Sequence, residues 1–239
     1  MKHIKLFESF EDIDSICKKY GITNYTINSD GSIDVDGRVN LSEKKLTKLP
    51  LKFNKVSGNF YCNHNQLTTL EGSPKEVGGN FYCDHNQLTT LEGSPKEVGG
   101  NFYCDNNKLT TLEGSPKEVG GGFYCSSNQL TTLEGSPKEV GGYFYCSYNQ
   151  LTTLEGSPKE VGGNFYCDHN QLTSLKGGPI KVGGNFYCDN NKLPKLILDN
   201  IDHIKKIVEY QEDYLIWRSS GALDEYKFND MMEEINDEK

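Results

Sequence analysis

Seven cysteines fall at Cys62, Cys83, Cys104, Cys125, Cys146, Cys167 and Cys188, each 21 residues after the one before. Around them the chain repeats a unit that residues 99–119 spell out as Gly-Gly-Asn-Phe-Tyr-Cys-Asp-Asn-Asn-Lys-Leu-Thr-Thr-Leu-Glu-Gly-Ser-Pro-Lys-Glu-Val. A fixed period of this length dictates stacked coils, each leaning on its neighbours. One coil offers Phe102, Cys104, Leu109, Leu112 and Val119 to a core. So few apolar groups do not offset the ordering of the backbone, so stacking is obligatory.

Phe102 and Cys104 alternate with Asn101, Tyr103 and Asp105, the signature of a short strand with one face inward. The pattern Phe102-x-Cys104-x-x-Asn107-x-Leu109-x-x-Leu112 resembles the leucine-rich repeat, with Phe and Cys in place of two leucines. With the following Leu-Thr-Thr-Leu-Glu-Gly-Ser-Pro segment it is similar to the short bacterial class of these repeats, found in secreted effectors. The resemblance covers residues 39–198 and departs from the family in placing Gly-Gly where the first consensus leucine falls. It implies an α+β chain: a leucine-rich-repeat solenoid with a parallel β-sheet on its concave face and an extended convex side. The opening Met1-Lys-His-Ile-Lys-Leu-Phe-Glu-Ser-Phe is also similar to the starts of tailed-phage proteins.

Three segments follow. Residues 1–38 form an N-terminal cap. Within it Ser9 and Asp12 resemble a capping box for a helix over Phe10–Tyr20, and Asn28-Ser-Asp-Gly31 joins the strands Tyr25–Ile27 and Ile33–Val35 as a hairpin. Residues 39–198 hold one degenerate coil, with Val39 and Leu41 in the columns of Phe60 and Cys62, and seven full coils. Residues 199–239 form a C-terminal cap of two helices. Ile201, Ile204, Val208 and Leu215 lie on one apolar face, and Leu223, Tyr226, Met231, Met232 and Ile235 on the other.

A formal net charge of −9 argues against nonspecific binding to nucleic acid or to an anionic membrane. No stretch is long and apolar enough to cross a bilayer, and the first residues turn acidic too early for a secretory signal, so the expected location is cytoplasmic. The seven cysteines of one column would lie about 4.8 Å apart with parallel side chains, which is poor disulfide geometry. They are expected to be reduced and buried. No third ligand recurs beside His64 and His85, which adjoin Asp84, so no metal is expected there. The Asp column, broken by Ser126 and Ser147, lacks the spacing of calcium-binding repeats. No column unites a nucleophile, a base and an orienting group, so neither catalytic residues nor a cofactor are expected. Some effectors of the resembled family carry a ubiquitin-ligase domain with a catalytic cysteine beyond the repeats, but here no cysteine follows Cys188.

The Asn column from Asn65 to Asn191 is expected to be structural, as in the resembled family. The Tyr column faces outward, either as a binding surface or as rings that stabilise the sheet by packing. The Leu-Thr-Thr-Leu to Gly-Gly block is nearly invariant, while changes gather around the strand: Asn101 becomes Gly122 and Tyr143, Asp105 becomes Ser126 and Ser147, and His85 becomes Asn106, Ser127 and Tyr148. The candidate partner-binding residues are therefore Tyr82, Tyr103, Tyr124, Tyr145, Tyr166, Asp84, Asp105, His85, Tyr143 and Tyr148. The favoured function is a noncatalytic scaffold for a protein partner of unknown identity. Self-association as a structural component and glycan binding are the alternatives.

Overall fold

A computed structural model describes residues 13–237. The expected capping box at Ser9 and Asp12, with Phe10, lies outside the described residues. A first helix, α1 (13–20), buries Ile13 and Cys17. The strands β1 (Tyr25–Ile27) and β2 (Ile33–Val35) then pair antiparallel as the expected hairpin.

Every full coil but the last contributes two short strands rather than one. The Phe–Tyr strands run in register from Val39–Asn40 through Phe60–Tyr61 to Phe186–Tyr187 and form an eight-stranded parallel sheet. The Glu–Val segments, expected to form an extended and solvated side, are themselves strands, such as Glu97–Val98 and Glu118–Val119. They build a second sheet of nine strands that begins with β1 and β2. The hairpin thus extends this sheet, with β2 parallel to Phe53–Val56 and β1 as its antiparallel edge.

The core fills the space between the sheets. Phe60, Phe81, Phe102, Phe123, Phe144 and Phe165 are fully buried. Successive rings of the Phe column, through Phe186, stack with centroids 5.0–5.6 Å apart. The cysteines beside them are buried and free, and each thiol from Cys62 to Cys167 donates to the Tyr carbonyl of the next coil at 3.2–3.3 Å. Burial pushes these thiols up, Cys188 to about 12, which keeps them in the unreactive protonated form.

Asn107 shows how coils are riveted together. Its Nδ2 donates to the carbonyls of Cys83, Cys104 and Asp105 at 3.0, 3.1 and 3.2 Å, and its Oδ1 accepts from the Leu88 N–H at 3.0 Å. An amide is the side chain that can both donate and accept at such a turn. At the corner between the sheets the first glycine of each pair has no room for a side chain. A Cβ at Gly99 would stand 2.4 Å from the Gly78 carbonyl oxygen.

The C-terminal cap starts earlier and is more broken than expected. Pro194 precedes α2 (Lys195–Leu198), and a short 3-10 turn leads into α3 (Ile204–Tyr210). Ile197, Ile204, Ile207, Val208 and Ile216 are buried, whereas Ile201 and Leu215 are exposed. The helix ends at Tyr210 and Leu215 takes a left-handed φ of 51°, which swings it out of the expected apolar face. α4 (Glu225–Asp237) buries Phe228, Met231, Met232 and Ile235, while Tyr226, expected on that face, is 82% exposed. Glu209 in α3 accepts the Val182 N–H at 3.1 Å and so caps the last strand of the Glu–Val sheet. Among the described residues no helix is long and apolar enough to cross a membrane.

Candidate functional site

The outward side of the Phe–Tyr sheet carries four side-chain columns. Three follow from strand alternation: the residue before Phe, the Tyr, and the residue after Cys. The fourth is the next residue, where the chain leaves the strand in the left-handed region with φ of 51–55° at His64, His85, Asn106, Ser127, Tyr148, His169 and Asn190.

The first two columns are wired together. The Asn101 N–H donates to Asn80 Oδ1 at 2.8 Å, and Asn101 Nδ2 donates to the Tyr103 hydroxyl at 2.8 Å. The tyrosine rings stack face to face from Tyr61 to Tyr187 at 4.1–4.8 Å. Tyr82, Tyr103, Tyr124, Tyr145 and Tyr166 are therefore half-buried, not the fully exposed row expected, because each ring covers the faces of its neighbours. Only their edges are free, which removes the open faces that sugar stacking needs. Coils four and five lack the Asn, having Gly122 and Tyr143 in its place. There burial, and then the neighbouring Tyr103 and Tyr166 phenols, push the Tyr124 and Tyr145 hydroxyls up, Tyr124 to about 12.

In the third column Asp105 is half-buried, and burial pushes its carboxyl up to about 6 although the Ser126 N–H donates to Oδ1 at 2.8 Å. Ser147 is buried and donates to Asp168 Oδ1 at 2.6 Å. Asp84 Oδ2 lies 3.0 Å from His85 Nδ1 and 4.0 Å from His64 Nε2. In the fourth column His64 stacks on His85 at 4.3 Å and Tyr148 on His169 at 4.2 Å.

Coil four loses its large side chains in three columns at once, at Gly122, Ser126 and Ser127. The next coil supplies the two exposed aromatics of this face, Tyr143 at 45% and Tyr148 at 55% exposure. Tyr143 stands edge-on to Tyr145, with centroids 6.2 Å apart and planes at 70°. The result is a step in the surface: the Tyr124 ring leans into the space that Gly122 leaves, where a Cβ would stand 2.8 Å from its Cε2, and Tyr143 and Tyr148 project from the next coil. Tyr82, Asp84 and His85 lie toward the N-terminal end of the same face and Tyr166 toward the C-terminal end. The sequence reading noted the small residues but did not include them in the site. Their coincidence in a single coil was the signal available.

An open furrow of about 830 Å³ lies elsewhere, over the Glu–Val sheet between the Glu column and the Gly–Gly corners. Its in-register glutamates end in ion pairs, Lys55–Glu76 at 2.7 Å and Lys181–Glu160 at 3.5 Å. It holds no nucleophile paired with a base.

No protein-family model and no curated protein matches the sequence. Among solved structures, the leucine-rich-repeat domain of a Shigella effector is similar with a TM-score of 0.51 at 18% identity, over 70% of this chain and 74% of that one. YopM from Yersinia enterocolitica WA-314 has a TM-score of 0.36 at 14% identity, over 64% of this chain and 47% of that one. By fold, the chain is a leucine-rich-repeat solenoid of the kind seen in the Shigella effector domain.

Proposed function

We propose that the solenoid is a noncatalytic scaffold that binds a protein partner across the tyrosine side of the Phe–Tyr sheet, centred on coils four and five. The observation that carries this reading is the break in an otherwise uniform surface. The inward columns and turns repeat almost unchanged, while the outer columns of coil four shrink to Gly122, Ser126 and Ser127 and coil five presents the exposed rings of Tyr143 and Tyr148. Exposed tyrosines are a residue type that anchors protein interfaces. Tyr rings stand closer together than Phe rings, 4.1–4.8 Å against 5.0–5.6 Å, which fits a stack that curves toward the tyrosine side and makes it the concave face.

The test is affinity capture with the immobilised full chain. Wild type is expected to retain one defined protein, and the double variant Tyr143→Asn/Tyr148→Asn to lose it. Asn already occupies both columns, at Asn101 and Asn106, so the fold is kept. Glu118→Gln on the opposite sheet serves as control and should capture normally. Equal capture by the double variant, or capture lost only in the control, would contradict the reading.

A further inference from the structure

His64 Nε2, Asp84 Oδ2 and a ring nitrogen of His85 all lie within 4.8 Å of one another, contributed by two successive coils. The inner oxygen of Asp84, Oδ1, is buried and has no hydrogen-bond partner. Its column-mates are served differently. Asp105 Oδ1 accepts from the Ser126 N–H and Asp168 Oδ1 from the Ser147 hydroxyl. Asn63 Oδ1, one coil earlier, is also buried without a partner, so two unserved oxygens mark the end of the column where the two imidazoles sit. Asp84 is thus a half-buried carboxylate whose outer oxygen, Oδ2, faces both imidazoles while its inner oxygen has no donor.

We infer that His64, Asp84 and His85 form a surface binding site for a divalent transition-metal ion, with zinc the best match. Two imidazoles and one carboxylate, completed by water, are the donor set and charge that suit zinc rather than calcium or magnesium, which prefer all-oxygen shells. Ligand atoms bound to one zinc stand roughly 3.3 Å apart given metal–ligand distances of about 2.0–2.2 Å, so the trio must close by about 1 Å. Both histidine side chains are nearly half exposed, at 46% and 47%, so solvent and an ion reach them. The buried cysteines are out of reach of such an ion. His169 beside Asp168 is a built-in comparison, because Tyr148 occupies the place where a second imidazole would stand.

The experiment is a calorimetric titration of the tag-free, reduced full chain with zinc, paired with the absorption spectrum of its cobalt(II) form. One ion per chain is expected, with a spectrum free of thiolate charge-transfer bands. His64→Asn and His85→Asn should each weaken binding roughly tenfold or more while melting like the metal-free wild type. Asn106 and Asn190 already hold the same left-handed position, so these variants fold. His169→Asn should bind normally. Absence of binding heat, unchanged affinity in the His64→Asn/His85→Asn double variant, or thiolate bands in the cobalt spectrum would each overturn the assignment.

Discussion

Asp105 shows how a single residue records its place in the stack. Burial raises its carboxyl to about 6 from an ordinary 3.8, with the neighbouring Asp84 charge adding to the rise and the Ser126 N–H and His85 opposing it. A carboxyl raised in the folded state holds its proton more tightly there than in the unfolded chain. Its contribution is therefore most favourable below about pH 4, and stability falls as pH rises through about 6, by up to about 3 kcal/mol. Asp105→Asn keeps an acceptor for the Ser126 N–H and removes the charge. Urea unfolding between pH 4 and 8 should show a flatter pH dependence and higher stability above pH 6 for this variant; parallel curves would contradict the account. The sequence placed Asp105 outward but not half-buried. Its burial comes from neighbouring coils, and no local pattern reports it. The left-handed fourth column was equally hidden, because Asn, His, Ser and Tyr share no single backbone preference that a reader would recognise.

Coils are the elements of this molecule, and the asparagine after each strand joins one to the next. Asn107 reaches back to Cys83 and Leu88 in the previous coil and holds Cys104 and Asp105 in its own. Asn107→Ala would leave buried carbonyls and an amide unserved, at a cost of about 3 kcal/mol or more. Equilibrium unfolding should report that loss, and a change below about 1 kcal/mol would show that water replaces the side chain. This role was legible beforehand, since the column recurs at the turn in every full coil. The second sheet was not. The strands that the repeat supplies to it are two residues long, so Glu97–Val98 offers no alternation to read, and the Ser-Pro before it signals a turn. The cap was legible in kind but not in register, because Leu215 fits a helical period that the break after Tyr210 interrupts, and Tyr226 falls in the first turn of α4 outside its buried face.

At the scale of the whole molecule, an inner frame of Phe, Cys, Leu and Asn columns carries the fold, and the outer columns of coils four and five are free to depart from it. Departures that serve only a surface should cost the frame nothing when they are reversed. Regularising the two exposed rings tests this directly, by comparing the unfolding free energy of wild type with that of Tyr143→Asn/Tyr148→Asn. The asparagines restore the amide ladder of Asn101 and Asn164 and place a tolerant residue at the left-handed position. The account predicts a variant at least as stable as wild type, by about 0.5–1 kcal/mol or more in its favour. A variant less stable than wild type would mean that the two exposed tyrosines belong to the frame, and the case for a binding face there would fall.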